Sequence, residues 1–103
     1  MKETTFFFYN KLMNMNLISK ISNYFSMYKG YIEKNSFTDY DLVFSKDRTY
    51  GSIVTFHNMS LNDCFEKISS IKEIKNDTKT YKVEPINANI VSDNKILYSY
   101  IIY

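Results

Sequence analysis

The stretch "TYKVEPINANIVSDNKILYSYIIY", residues 80–103, predicts two β-strands joined by a tight turn. Apolar and polar side chains alternate along its first half with the period of two that is typical of a strand. The alternation changes phase at Glu84-Pro85, and since proline donates no ladder hydrogen bond, we expect a bulge or bend there. The polar segment 92–95 predicts a turn, and 96–103 supplies a last strand with apolar side chains on both faces.

The segment upstream of this hairpin, "SLNDCFEKISSI" at 60–71, predicts an α-helix. Ser60 and Asp63 have the spacing of a capping box, in which each side chain accepts a hydrogen bond from the other residue's backbone N–H. Apolar residues then recur at helical spacing, at Leu61, Cys64, Phe65, Ile68 and Ile71. We expect this apolar row to face the core.

The middle of the chain predicts a β-hairpin. The segments "YDLVFS" (40–45) and "YGSIVTFH" (50–57) both alternate apolar and polar side chains. The four residues between them, 46–49, are polar and suit a hairpin turn. The two strands should therefore be antiparallel neighbours.

The first third of the chain predicts two helices. Aromatic and aliphatic residues fall at helical spacing in 4–13, "TTFFFYNKLM", although its four consecutive aromatic residues could also form a strand. A wide apolar stripe repeats every three or four residues in 17–32. A break is expected at 14–16, because its two asparagines are weak in a helix interior. Gly30 is expected to close the second helix as its C′ residue.

The predicted order of elements is therefore helix, helix, strand, strand, helix, strand, strand. A chain of 103 residues is long enough to bury a core, so we expect a single α+β domain over 1–103. Its elements are two N-terminal helices, a β-hairpin, a third helix and a C-terminal antiparallel hairpin. The helices should pack on one face of a bent sheet, because strands joined by short turns favour antiparallel pairing.

This order resembles the nuclear transport factor 2-like superfamily, most closely over 61–102, where "LNDCFEKISSI" is followed by a polar gap and "TYKVEPINANIVSDNKILYSYII". The resemblance implies a cone-shaped α+β fold, and dimers formed through the sheet as in the non-catalytic transport and messenger-RNA export members. Members of the family have two more strands beyond the position that corresponds to Tyr103. The resemblance therefore also implies a sheet edge that a partner covers. Other branches are isomerases and dehydratases, but no catalytic Asp or His matches here by position.

The charges of the chain are nearly balanced, since 13 basic and 11 acidic residues give a net charge of +2. A nucleic-acid-binding protein usually concentrates its basic residues, whereas these are dispersed. One cysteine cannot form an internal disulfide, and the first residues lack the apolar core of a signal peptide. No apolar run approaches the roughly 18 residues of a membrane span. We therefore expect an intracellular protein of the cytoplasm or nucleus, with no membrane partner.

Two residue types that serve catalytic or metal sites occur once each. Cys64 lies on the apolar row of its helix, where burial keeps a thiol protonated and unreactive. His57 is the only histidine of the chain, and a metal site needs three or four ligands. We therefore expect no catalytic residue, no metal and no cofactor. An enzyme stays as an alternative if His57 or Asp41 lies inside the fold beside a pocket.

The last strand carries the functional hypothesis. A strand that is apolar on both faces is either central in its sheet or covered by a partner or a second copy, because it would aggregate if it lay bare at a sheet edge. Tyrosine suits such an interface because it combines a large apolar body with one polar tip. We expect a non-catalytic protein–protein binding module, an adaptor or regulatory subunit, that binds through Tyr98, Tyr100, Ile102 and Tyr103.

A second hypothesis is a small RNA- or ribosome-associated factor. Lys46, Arg48 and Tyr50 combine positive charge with a stacking ring at the predicted hairpin tip, which suits single-stranded RNA. A viral or mobile-element protein that blocks a host machine would share these sequence features.

Overall fold

Helices and strands alternate along most of the chain. The structure is a computed structural model that describes residues 2–9, 13–71 and 82–103. The elements described are β1 (Glu3–Phe8), α1 (Met15–Ile21), β2 (Phe25–Glu33), α2 (Tyr40–Val43), β3 (Arg48–His57), α3 (Leu61–Ser70), β4 (Val83–Ile90) and β5 (Ile96–Ile102). The predicted α+β class is confirmed, while the order of elements in the first half of the chain differs from the prediction.

The described strands form a closed barrel in the order β1-β3-β2-β4-β5. Neighbouring strands are antiparallel, except that β5 returns to β1 as a parallel neighbour, with Phe6 opposite Tyr100. The last strand therefore has a partner strand on both sides within its own subunit. Of the two positions expected for this strand, the central one is correct, and an edge that lies open for a partner is wrong.

Two apolar clusters fill the two faces of this sheet. One cluster holds Phe7, Ile53, Ile86, Ala88 and Ile101, and short helix α2 adds Tyr40. The other is covered by α1 and α3, and its buried members on these helices and on the sheet include Phe6, Phe8, Val54, Phe56, Ile18, Cys64, Ile68 and Ile102. A Cβ atom on Gly30, which shares the sheet face of Ile53, would lie only 2.8 Å from the backbone oxygen of Asn89 on the neighbouring strand. The sheet therefore curls toward this face, so the first cluster fills the interior and the second is the outer one. The prediction that all helices share one face is therefore wrong for α2.

The first predicted helix, 4–13, is wrong, because residues Glu3–Phe8 form strand β1. Phe6 and Phe8 lie on the outer face beneath the helices, and Phe7 points into the barrel interior. All three rings are at most 1% exposed. A strand that is buried on both faces consists of consecutive apolar residues, and aromatic residues favour strands. The same residues were therefore consistent with a strand as well as with a helix.

The second predicted helix, 17–32, is wrong beyond its first turns. Helix α1 begins after Asn14, whose side chain accepts a hydrogen bond from the backbone N–H of Asn16, and it ends at Ile21. The rest of the stretch is strand β2, and Gly30 lies inside that strand rather than at a helix end. Tyrosines spaced three and four residues apart fitted a helix, but aromatic residues also favour strands.

The predicted hairpin of 40–45 with 50–57 is wrong in its first strand. Residues Tyr40–Val43 form the short helix α2, whereas the second strand is confirmed as β3. The antiparallel neighbours of β3 are β2 and β1. A six-residue alternation was too short to distinguish a strand from one helical turn.

The helix at 60–71 is confirmed as α3, and the capping box is present. The Ser60 hydroxyl accepts from the Asp63 N–H and the Asp63 carboxylate accepts from the Ser60 N–H, both at 3.2 Å. No helix within 2–9, 13–71 and 82–103 is long and apolar enough to cross a membrane.

The C-terminal hairpin is confirmed as β4 and β5, but the bulge expected at Pro85 is wrong. The register runs unbroken from Val83 opposite Ile102 to Asn89 opposite Ile96. Lys82 and Tyr103 exchange both backbone hydrogen bonds. Hydrogen-bonded and non-hydrogen-bonded pairs alternate along an antiparallel ladder, so Pro85 and Tyr100 form a non-hydrogen-bonded pair. The missing N–H of Pro85 therefore costs no hydrogen bond to β5. The apolar alternation changes phase along β4 because Val83 packs in the outer cluster, whereas Ile86 packs in the interior cluster on the opposite face.

Candidate interaction surface

A row of side chains crosses four strands on the outer face of the barrel. Tyr50 of β3 lies opposite Tyr31 of β2, Tyr31 lies opposite Asn89 of β4, and Asn89 lies opposite Ile96 of β5. Side chains that oppose each other directly on one face lie within contact distance of each other. Tyr98 extends the row along β5, two residues beyond Ile96 on the same face. We call these five residues the tyrosine surface.

Much of the tyrosine surface is open to solvent. Tyr98 is 86% exposed, Ile96 61% and Tyr50 60%. Helices α1 and α3 cover the same face of the barrel elsewhere, around Phe6 and Phe56. The sheet therefore buries one part of its outer face and presents the other part to water.

Arg48 is held at one border of the tyrosine surface by two contacts. Its guanidinium carbon lies 4.2 Å from the centroid of the Tyr31 ring, and Nη2 lies 3.1 Å from Oε1 of Glu33. The Tyr31 and Tyr50 ring centroids are 5.6 Å apart. Hydrogen bonds to Tyr50 and then Glu33 raise the pKa of Arg48 above its ordinary value. Arg48 is therefore a fixed cation stacked on an aromatic ring.

The four residues predicted to bind a partner occupy different environments. Tyr98 is exposed, and Tyr100 is half-buried with its ring centroid 6.1 Å from that of Phe6. Ile102 is only 2% exposed in the outer cluster, so its side chain is already covered within the subunit. The hydroxyl of Tyr103 lies within hydrogen-bond distance of the carboxylates of Asp39 and Glu84. Tyr98 is thus the member of this set that faces solvent most.

The remaining residues of the tyrosine surface, Tyr31, Asn89 and Ile96, were missed by the sequence reasoning. Ile96 lies two residues from Tyr98 on the same face of β5, so the period of two in the sequence was sufficient to place it beside Tyr98. Tyr31 and Asn89 had no such signal, because their place beside β3 and β5 depends on the pairing of β2 with β4.

The residues of the RNA hypothesis, Lys46, Arg48 and Tyr50, do come together. They line an open groove of about 470 Å³ between the end of α2 and strand β3, where Phe44 and Thr49 also contribute. Tyr50 belongs both to this groove and to the tyrosine surface. The two surfaces expected from sequence are therefore continuous around Arg48 and Tyr50.

Cys64 fills the core, as its position on the apolar row predicted. It is fully buried in the outer cluster. Burial raises the pKa of the thiol to about 11, against a smaller opposite effect of a hydrogen bond with Thr4. The thiol is therefore protonated at neutral pH, which removes its nucleophilic character.

His57 and Asp41, the residues of the enzyme alternative, differ in their surroundings. Asp41 is exposed on α2, 3.6 Å from Nζ of Lys34. His57 ends β3 on the interior face of the sheet, where Nδ1 lies 3.1 Å from Glu3 and Nε2 lies 2.9 Å from Ser26. Within 2–9, 13–71 and 82–103, no three His, Cys, Asp or Glu side chains are grouped so that they could hold a metal ion.

No family model, no curated protein and no solved structure matches the chain. Membership of the nuclear transport factor 2-like superfamily stays a prediction. In the described part of 61–102, α3 is followed by β4, a turn and β5, whereas β1 and β2 lie where N-terminal helices were predicted.

Proposed function

We propose that the chain is a non-catalytic protein-binding module, an adaptor or regulatory subunit, that docks a partner protein or a second copy on the tyrosine surface. The observation that carries this proposal is the row of paired residues from Tyr50 to Ile96, with Tyr98 beside it, on an uncovered part of the sheet.

The residue types of the tyrosine surface favour binding. Tyrosine and arginine dominate the energetic centres of protein interfaces, because each buries a large area and still offers a hydrogen-bonding group. The Tyr31 ring and the Arg48 guanidinium already hold each other in place, so less side-chain entropy is lost when a partner docks. A standard interface buries roughly 800 Å² per partner, so a partner would also contact residues around the tyrosine surface.

The proposal includes a single domain in the cytoplasm or nucleus. The only cysteine of the chain, Cys64, is a buried free thiol. A free thiol fits the cytoplasm and the nucleus, because these compartments keep cysteines reduced. Membership of the nuclear transport factor 2-like superfamily would fit the same role, because the binding members of that family also use their sheet.

The test removes the two most exposed apolar side chains of the surface. Ile96→Ser with Tyr98→Ser should abolish self-association in sedimentation velocity, or recovery of the partner by affinity purification, while the thermal unfolding transition is retained. Leu42→Ser is the matched control, because Leu42 is 82% exposed but lies on α2. Equal association by the folded double variant and the control would disprove the proposal.

RNA binding is the second candidate function, because Lys46, Arg48 and Tyr50 line one groove. Tyr50 and Phe44 offer stacking faces, and the two cations can neutralise phosphates. Binding of a single-stranded oligonucleotide should weaken steeply with salt, whereas an apolar protein interface responds weakly. A titration at two salt concentrations separates the two functions.

A further inference from the structure

Three polar side chains form a chain of hydrogen bonds at one end of the barrel. Glu3 of β1 lies opposite His57 of β3, and Ser26 of β2 lies opposite Thr55, two residues before His57. Oε1 of Glu3 is 3.1 Å from Nδ1 of His57, and Nε2 of His57 is 2.9 Å from Oγ of Ser26. The three residues come from adjacent strands, so the sheet itself fixes their spacing.

The direction of both hydrogen bonds follows from the chemistry of the groups. An ionised carboxylate can only accept, so Nδ1 of His57 must carry the proton that Glu3 receives. In the neutral ring Nε2 is then an acceptor, and the Ser26 hydroxyl must donate to it. This order of orienting carboxylate, imidazole base and hydroxyl is the arrangement that activates a serine nucleophile.

The group is accessible from solvent. The side chains of His57 and Glu3 are 18% and 51% exposed, and Ser26 is half-buried. The Tyr24 ring lies beside His57, with ring centroids 4.7 Å apart and the ring planes tilted by 40°. Tyr28 lies two residues beyond Ser26 on the same strand face, and both tyrosines are exposed. The Ser26–His57 pair therefore has an exposed tyrosine beside each of its members and borders solvent.

We propose that Ser26 is a nucleophile toward acyl esters, with His57 as its general base and Glu3 as a positioning residue. Oγ of Ser26 forms a bond to the acyl carbon while its proton passes to Nε2 of His57. The ester bond breaks as the leaving alkoxide takes that proton. Water then attacks the acyl-serine with His57 as base, which releases the carboxylic acid and restores the hydroxyl.

This inference goes beyond the proposed binding function and concerns a different place. Ser26 and Tyr31 are five residues apart on β2, which is roughly 16 Å along a strand, and they face opposite sides of the sheet. It also departs from the expectation that the chain has no catalytic residue, and labelling of Ser26 would overturn the non-catalytic part of the proposed function while leaving its binding surface untouched. Changes at Ser26 therefore leave the tyrosine surface intact, and the two proposals fail independently.

The experiment uses a fluorophosphonate probe on the purified folded chain. Attack by Ser26 would form an Oγ–phosphorus bond and release fluoride, which intact-protein mass spectrometry detects as one added phosphonyl group. Ser26→Ala should abolish labelling, and His57→Gln should slow it at least about 100-fold. Ser52→Ala is the control, since Ser52 is a half-buried strand serine on the outer face, and it should label at the parent rate.

Glu3→Gln tests the positioning role. The glutamine amide can donate to Nδ1, which favours the tautomer with its proton on Nε2 and removes the acceptor from Ser26. Labelling should slow about 100-fold or more, and the ring nitrogen shifts of His57 in an NMR spectrum should show the change of tautomer. Absence of labelling in the folded parent, labelling at another residue, or unchanged rates in these variants would each overturn the proposal.

Discussion

Gly30 and Gly51, the only two glycines of the chain, lie directly opposite each other on β2 and β3. A Cβ atom on Gly30 would lie 2.8 Å from the carbonyl oxygen of Asn89 and would clash with Cδ1 of Ile53. A Cβ atom on Gly51 would lie 2.7 Å from Cζ of Phe7 and would clash with the carbonyl oxygen of Phe8. The missing side chains make room inside the barrel for Ile53 and Phe7.

Gly51→Ala should destabilise the fold by about 1–3 kcal/mol, because the added methyl group meets backbone that cannot move without breaking the β1–β3 pairing. Urea denaturation measures the effect. Lys29→Ala is the control, since Lys29 is exposed on the neighbouring strand and should cost little. Equal stability of Gly51→Ala and the parent would mean that the close approach to Phe8 is absent.

The Cys64 thiol should resist modification in the folded protein. Its burial and its pKa of about 11 leave little thiolate at pH 8. A disulfide reagent should react with the folded chain only as fast as the chain opens, and immediately with the chain in denaturant. Reaction of the native thiol at the denatured rate would contradict its place in the core.

Tyr103 connects the chain end to two acidic residues. Its hydroxyl lies 2.8 Å from Oδ2 of Asp39 and 2.5 Å from Oε1 of Glu84. Burial, followed by these two contacts, raises the pKa of Tyr103 well above its ordinary value. A raised pKa in the folded state means that this stabilisation is fully present below about pH 10 and is lost as the pH rises further.

Tyr103→Phe should therefore lower the free energy of unfolding by about 1.5 kcal/mol at neutral pH, since the ring contact with Phe37 is kept while the hydroxyl is lost. The difference from the parent should shrink above about pH 10, as measured by urea denaturation across this range. Tyr98→Phe, at an exposed position, is the control. If the difference in the free energy of unfolding between the parent and Tyr103→Phe grew with pH, the pKa of Tyr103 would be lowered rather than raised in the folded state.

Arg48→Lys should separate the two candidate functions. Lysine keeps the charge but cannot stack a planar group on Tyr31 while it bonds Glu33. Binding of a protein partner should weaken about tenfold, whereas the salt dependence of oligonucleotide binding should change little. Isothermal titration at two salt concentrations measures both. Unaltered affinity for a protein partner would place Arg48 outside the interface.

Prediction from sequence succeeded where neighbours along the chain decide the structure. In α3, the cap made by Ser60 and Asp63 and the apolar row with Cys64 all lie within one helix, so local spacing was sufficient. The C-terminal hairpin likewise needs only a short polar turn between two alternating strands. For the candidate site, alternation identified Tyr98 as one member of an apolar strand face.

Prediction failed where a distant strand decides the structure. Residues Phe6–Phe8 are buried on both faces because residues from distant parts of the chain cover each face. The outer face is covered by α1 and α3, and Phe7 packs with Ile86 and Ile101. The same holds for Gly30, whose missing side chain makes room for Ile53 rather than ending a helix. Whether Ile102 is covered within the subunit could not be read from its own strand.

The sequence by itself determined the α+β class, the capped third helix and the final hairpin, because hydrogen bonds and periodicity within a few residues specify them. Only the tertiary structure decided that the strands close into a barrel, that Tyr50, Tyr31, Asn89 and Ile96 form one row, and that Glu3, His57 and Ser26 meet. The physical reason is that strand pairing joins residues by register rather than by position in the chain, and register depends on how all the strands bury their faces together.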